Sequence, residues 1–145
     1  MKSDRPSHED FPHFQTLNTR WMDNDLYGHI NNVTYYAYFD TVVNRYLIDA
    51  GGLDIHSGPV IAYVVSSGCD YFRSAAYPQV LEIGLRVTKL GNSSVTYSLG
   101  VFAQGEEALL ACGQFVHVFV DRARETPVPI PATLRAALEP LCAPG

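Results

Sequence analysis

The sequence predicts an α+β domain in which one long buried helix packs on a five-stranded antiparallel sheet. Three observations carry this. A single stretch, Val33 to Ala50, repeats apolar residues at helical spacing. Most of the remainder alternates apolar and polar residues in strand-length runs. Short turns such as "GNSS" at 91–94 and "QGEE" at 104–107 join those runs, so consecutive strands must pair antiparallel.

The chain reads as one domain spanning residues 1–145, with residues 1–12 a loose polar tail. A first strand is expected over Phe14 to Trp21, where Leu17 and Thr19 alternate with Thr16, Asn18 and Arg20. The polar stretch "RWMDNDLYGHINN" then forms a loop. In the helix Tyr35, Phe39, Val42 and Tyr46 share a stripe, with Tyr36, Val43 and Leu47 beside it. So wide an apolar face predicts burial on most sides. Aromatic and β-branched residues form helices poorly, so packing must hold this one together. "GG" at 51 and 52 ends it. Strands are expected at Pro59–Arg73, Gln79–Lys89, Val95–Ala103 and Ala108–Asp121. Leu81, Ile83, Leu85 and Val87 face one way; Val95, Tyr97, Leu99, Val101 and Ala103 alternate again. The last strand is apolar on both faces, so its centre is expected to be covered on both. Three prolines in "ARETPVPIP" break the pattern, and "ATLRAALEPL" reads as a short C-terminal helix. One helix cannot cover both faces of five strands. The other face must be solvated or buried against another subunit, which favours a symmetric homodimer.

Apolar residues make up 47% of the chain and aromatics 12%, enough for a real core. The formal net charge is −5, with no basic run. That argues against nucleic acid or an anionic membrane as partner. The polar opening "MKSDRPSHEDFPHF" suggests no secretion signal, and no window approaches the roughly 20 apolar residues of a membrane helix. Cys69, Cys112 and Cys142 show no CxxC spacing and read as reduced thiols of a cytoplasmic protein. The glycosylation patterns at Asn32 and Asn92 are then chance matches.

The loop holds the chemistry. Asp25 lies at the end of a strand and beside a helix start. Capping or dipole complementarity explains a carboxylate there as readily as a chemical role does. Asp23 reads as a loop organiser through turn-type hydrogen bonds. N-capping accounts for one of Asn31 and Asn32. A helix N-terminus also presents unpaired N–H groups and partial positive charge, suited to a developing oxyanion. Gly28 lets the loop bend tightly or a ligand approach the backbone. His29 could be a donor, a base or a packed loop histidine. No metal site is expected, since HxxxH, HExxH and cysteine pairs are absent and the other histidines scatter at 8, 13, 56 and 117. There is no GxSxG and no glycine-rich phosphate loop.

"RWMDNDLYGHINNVTYYAYFD" resembles the opening motif of the hotdog-fold acyl-CoA thioesterases, the 4-hydroxybenzoyl-CoA thioesterase-like group. That motif is an Arg, then D-x-D, then x-x-G-H-x-N-N-x-x-Y and an aromatic-rich helix. Arg20, Asp23, Asp25, Gly28, His29, Asn31, Asn32 and Tyr35 all fit. "CDYFRSAAYP" resembles the group's D-Y-x-R-P-A strand: Asp70, Tyr71 and Arg73 fit, and Ser74 replaces proline.

The resemblance implies a hotdog fold and hydrolysis of an acyl-CoA thioester, with no cofactor, since coenzyme A is part of the substrate. Asp25 matches the catalytic carboxylate, acting as general base or as nucleophile. The backbone N–H at or near Asn32 would polarise the carbonyl. The substrate-binding set would be Tyr27, Gly28, His29, Asn31, Tyr35 and Arg73: His29 and Asn31 shape the loop, and Tyr27 and Tyr35 line the acyl pocket. Arg73, Arg86, Lys89, Arg122 and Arg124 are candidates for the coenzyme A phosphates, and each also reads as an ordinary surface charge. Leu26-Tyr27 stands where some subgroups have proline and alanine, which leans towards a fatty or other aliphatic acyl group. The implied assembly is a homodimer joined sheet edge to sheet edge, paired into a homotetramer. Two rival readings are a hotdog dehydratase of 3-hydroxyacyl thioesters, for which Asp40 is a poor helix acid, and a non-catalytic module binding acyl-CoA or acyl-carrier protein.

Overall fold

Period-two alternation becomes a single sheet. β1 (His13–Asn18), β2 (Val60–Tyr71), β3 (Val80–Leu90), β4 (Ser94–Ala103) and β5 (Leu109–Asp121) pair antiparallel in the order β1-β3-β4-β5-β2. The structure, a computed structural model, describes residues 5–142. The hairpins β3–β4 and β4–β5 follow the turns the sequence marks, and Leu81, Ile83, Leu85 and Val87 all lie buried on one face.

The helix α1 (Thr34–Gly51) lies against that face. Phe39, Val42, Val43 and Leu47 are fully buried among Ile83, Tyr97, Leu99 and Phe115. Each such side chain contributes about 1.5–3 kcal/mol, which offsets the poor helix propensity. Gly113 in β5 lets the Phe39 ring sit directly on the strand, because a Cβ there would collide with the ring. The helix ends at Gly52 in the left-handed conformation, as the double glycine predicts. A second helix, α2 (Ala132–Leu138), buries Leu134 and Leu138 beside it, and the Tyr46 hydroxyl donates to the Ala137 carbonyl at 2.6 Å. No helix among the described residues is long and apolar enough to cross a membrane.

Four expectations need correction. The first strand stops at Asn18, because Arg20 and Asp23 hydrogen-bond and fold Trp21–Asp23 into a 3-10 turn. Residues 5–12 are not a loose tail. They cross the outer face of the sheet, where Phe11 is buried over Gly84 and Gly100 and the Arg5 guanidinium lies 3.9 Å from the Phe72 ring centre. Residues 1–4 of that expected tail lie outside the described residues. This segment reaches β3 and β4 but leaves the middle of the outer face of β5 open, so Gln114 is exposed and Cys112, Val116 and Val118 are half-buried, while Leu110 and Val120 towards its ends are buried. Finally, α1 is buried along one stripe only; Ala37, Asp40, Thr41 and Ile48 are exposed among the described residues.

The two sheet edges differ. β1 has 6 residues, whereas β2 has 12, a bulge between Val64 and Ser66, and Tyr63, Val64 and Val65 exposed along it.

Candidate active site

The loop from Arg20 to Val33 is held from below. Asp23, 2% exposed, accepts two hydrogen bonds from the Arg20 guanidinium on Oδ1, and one each from the Arg20 N–H and the Tyr38 hydroxyl on Oδ2. Burial alone would raise its pKa; hydrogen bonds from Tyr38 and Arg20 outweigh that and hold the carboxyl below the usual range. Burial, then the bond to Asp23, raises Tyr38 in turn. Asp23 is therefore the organiser the sequence suggests, with a partner on α1 that no local pattern announces.

Above this lock the chain makes a tight turn around Asp25. The Asp25 N–H donates to the His29 carbonyl at 2.8 Å and the Gly28 N–H to the Asp25 carbonyl at 3.1 Å. Gly28 takes φ +81°, which a side chain would resist. One carboxylate oxygen, Oδ1, accepts the Tyr27 N–H at 2.9 Å and the His29 N–H at 3.4 Å. Oδ2 has no protein donor among the described residues. One oxygen of the carboxylate thus holds the turn, and the other is left without a protein donor among the described residues.

The approach to α1 is fixed next. Ile30 donates to the Ala75 carbonyl at 2.7 Å, and the Asn31 N–H to the Asp23 carbonyl at 2.9 Å. The Asn31 side chain, not that of Asn32, caps the turn: its Oδ1 accepts the Val33 N–H at 3.0 Å and its carbonyl the Thr34 N–H at 2.9 Å. The Asn32 N–H has no acceptor among the described residues. The Asn32 carbonyl accepts the Tyr71 hydroxyl at 2.9 Å.

The predicted residues other than His29 fall into two separate cavities, with Asn31 lining one and Asn32 the other. Asp25, Tyr27, Gly28 and Asn31 line one of about 930 Å³, with Trp21, Met22 and Leu26. Asn32, Tyr35 and Arg73 line another of about 290 Å³, with Tyr71 and Ser74. His29 lines neither and serves the turn through its backbone. Tyr35 is buried, its hydroxyl pushed up to about 12 by that burial, so it stays neutral. Trp21, Met22, Leu26 and Tyr27 are largely exposed, forming an unusually apolar rim around a carboxylate.

Among the candidate cations, Arg73 stands at the smaller cavity. Arg122 is committed to the Gly58 and Ile55 carbonyls, and Arg86 sits beside Phe11 on the outer face of the sheet. The sequence reading gives no role to Trp21 and Met22, although they lie within the motif between Arg20 and Asp23. It named Tyr71 within a motif but gave it no role, because its partner lies 39 residues away.

Residues 19–138 match the model of the thioesterase-like superfamily. The PA5185 protein of Pseudomonas aeruginosa is 59% identical, with a TM-score of 0.94 over 96% of this chain and 97% of that one. The PA2801 protein of the same organism is 25% identical, with a TM-score of 0.82 over 88% and 98%. A 1,4-dihydroxy-2-naphthoyl-CoA thioesterase from Synechocystis, 18% identical with a TM-score of 0.78 over 86% and 93%, shares the hotdog fold.

Proposed function

Because this chain belongs to the thioesterase-like superfamily, a family of thioester hydrolases, we propose that it hydrolyses an acyl-CoA thioester to the free acid and coenzyme A. The observation that carries this reading is the pair of free groups on one short loop: Asp25 Oδ2 without a donor and the Asn32 N–H without an acceptor among the described residues. A thioester is already activated, so a carboxylate and one oxyanion donor suffice, the donor contributing about 3 kcal/mol. The thioester would span the Asn31–Asn32 peptide, its carbonyl oxygen on the Asn32 N–H and its carbonyl carbon towards Asp25. Oδ2 then deprotonates water, or attacks to give an anhydride that water cleaves. The coenzyme A thiolate leaves and is protonated by solvent.

The apolar rim of Trp21, Met22, Leu26 and Tyr27 supports an aliphatic or other apolar acyl group in the larger cavity. Arg73 at the smaller one supports placing the coenzyme A moiety there. The rims are open in the protomer, which supports a homodimer that completes the site; pairing of dimers into a homotetramer rests on the family pattern alone. The protein is read as a cytoplasmic enzyme needing no cofactor.

The test is release of free thiol from acetyl-, octanoyl- and benzoyl-CoA by wild type and Asp25→Asn. The amide keeps an oxygen for the Tyr27 N–H, so the turn survives while the charge is lost. The expected result is a fall in kcat of about 10²–10⁴-fold, the usual scale of a general base. Unchanged turnover in Asp25→Asn removes Asp25 from the mechanism. Tight binding without turnover by wild type points instead to a binding module.

A further inference from the structure

We propose that Tyr71 is a positioning residue for the oxyanion site: from the end of β2 its hydroxyl pins the Asn32 carbonyl, which keeps the Asn32 N–H presented to the substrate. The inference rests on the role just given to that N–H. The peptide between Asn32 and Val33 is gripped at both ends, its carbonyl by Tyr71 at 2.9 Å and its N–H by Asn31 Oδ1 at 3.0 Å. On either side the Asn31 N–H is bonded to Asp23, the Asn31 carbonyl to Thr34 and the Val33 carbonyl to the Tyr36 N–H. Of the backbone groups from Asn31 to Val33, only the Asn32 N–H is left without a partner among the described residues.

Every other bond on Asn32 and Val33 comes from residues 31–36. Tyr71 is the tie that reaches this peptide from the sheet. Its own ring is held edge-on against buried Tyr35, with centres 5.2 Å apart. Burial and neighbouring Cys69 raise its pKa, so it remains a donor through the working range. Without the hydroxyl, the Asn32–Val33 peptide is held only through its N–H, the backbone torsions of Asn32 are freed, and through them the adjoining Asn31–Asn32 peptide that carries the donor; a misdirected donor costs rate while substrate binding persists.

Tyr71→Phe removes one oxygen from a half-exposed ring. It is compared, in the full-length chain, with wild type and with Tyr63→Phe, the same change elsewhere on β2. kcat and KM are measured on octanoyl-CoA, and amide hydrogen exchange is followed at Val33 and Thr34. The expected result is a kcat about tenfold lower in Tyr71→Phe, KM within twofold, an unchanged melting curve and faster exchange at Val33. This is well short of the roughly hundredfold or greater loss of an entire oxyanion donor. Unchanged kcat, or an equal loss in Tyr63→Phe, overturns the inference. If wild type hydrolyses none of the three thioesters, the acyl-CoA reading fails, and exchange alone decides the pinning: unchanged protection at Val33 overturns it, faster exchange upholds it.

Discussion

The Tyr38 hydroxyl donates to Asp23 Oδ2 at 2.7 Å, joining the third residue of the entry turn to the second turn of the central helix. Both groups are buried; the Tyr38 hydroxyl has Asp23 as its partner, whereas Asp23 is also held by Arg20. Tyr38→Phe leaves the Arg20 bonds in place and is expected to cost about 1–2 kcal/mol. Asp23→Asn disturbs four donors at once and is expected to cost about 2–4 kcal/mol. Urea unfolding of both variants measures the difference. An Asp23→Asn protein as stable as Tyr38→Phe would show that the guanidinium bonds contribute nothing.

Buried His117 sets an acid limit. Its Nδ1 lies 3.3 Å from the hydroxyl of buried Tyr97, and burial pushes its pKa down to about 4. In the unfolded chain the imidazole takes up a proton near pH 6.5, so the unfolded state binds more protons below that pH. Stability is therefore independent of His117 above about pH 6.5 and falls by up to about 3 kcal/mol as pH drops towards 4. Half-buried His13 shifts the same way and adds to the slope. The carboxyl groups held low, Asp23 among them, act in a separate window, their contribution being lost only as pH falls below about 4. Thermal melts from pH 7 to 4 should show the decline, and His117→Gln should flatten it.

Gly113→Ala should be more damaging than its size suggests. The added methyl meets the Phe39 ring, which has no free space to retreat into because it is fully buried. Overpacking of this kind costs about 1–3 kcal/mol. Gly68→Ala, where a Cβ meets nothing, is the matched comparison on β2. Equal melting temperatures for the two would mean that Phe39 is less confined than its burial indicates.

Chain-length preference should reside in the exposed rim. Trp21 is 77% exposed and lines the cavity beside Asp25. Covering part of its ring with an acyl chain is worth about 1 kcal/mol at ~25 cal/mol per Å². Trp21→Ala is expected to raise KM about fivefold for octanoyl-CoA and little for acetyl-CoA, with kcat preserved. An equal rise for both substrates would place the acyl chain elsewhere.

The strands β3 and β4 were legible in the sequence because their apolar residues alternate on the side facing α1, even though Gly84, Gly100 and Phe102 are buried on the other face as well. The helix was legible through Phe39, Val42, Val43 and Leu47, and the turn around Asp25 through Gly28. What stayed hidden depends on contacts between distant segments. Phe11 looks like a tail residue until Gly84 and Gly100 supply a flat place for its ring. Asn31 and Asn32 are equivalent as letters, and only the turn separates the capping side chain from the free N–H. The apolar outer face of β5 suggested cover over its centre, where the described residues leave Gln114 exposed and Val116 half-buried.

The unequal edges of the sheet limit how copies of this chain can be added to one another. A short strand like β1 offers few free backbone groups, whereas β2 offers a long row of them. Continuous growth needs a receptive edge on both sides of each unit. Pairing of two copies through β2 would consume the long edge of both and leave only blunt ones outward, so association by that route would stop at two. An asymmetry of this kind favours a closed pair over a fibre.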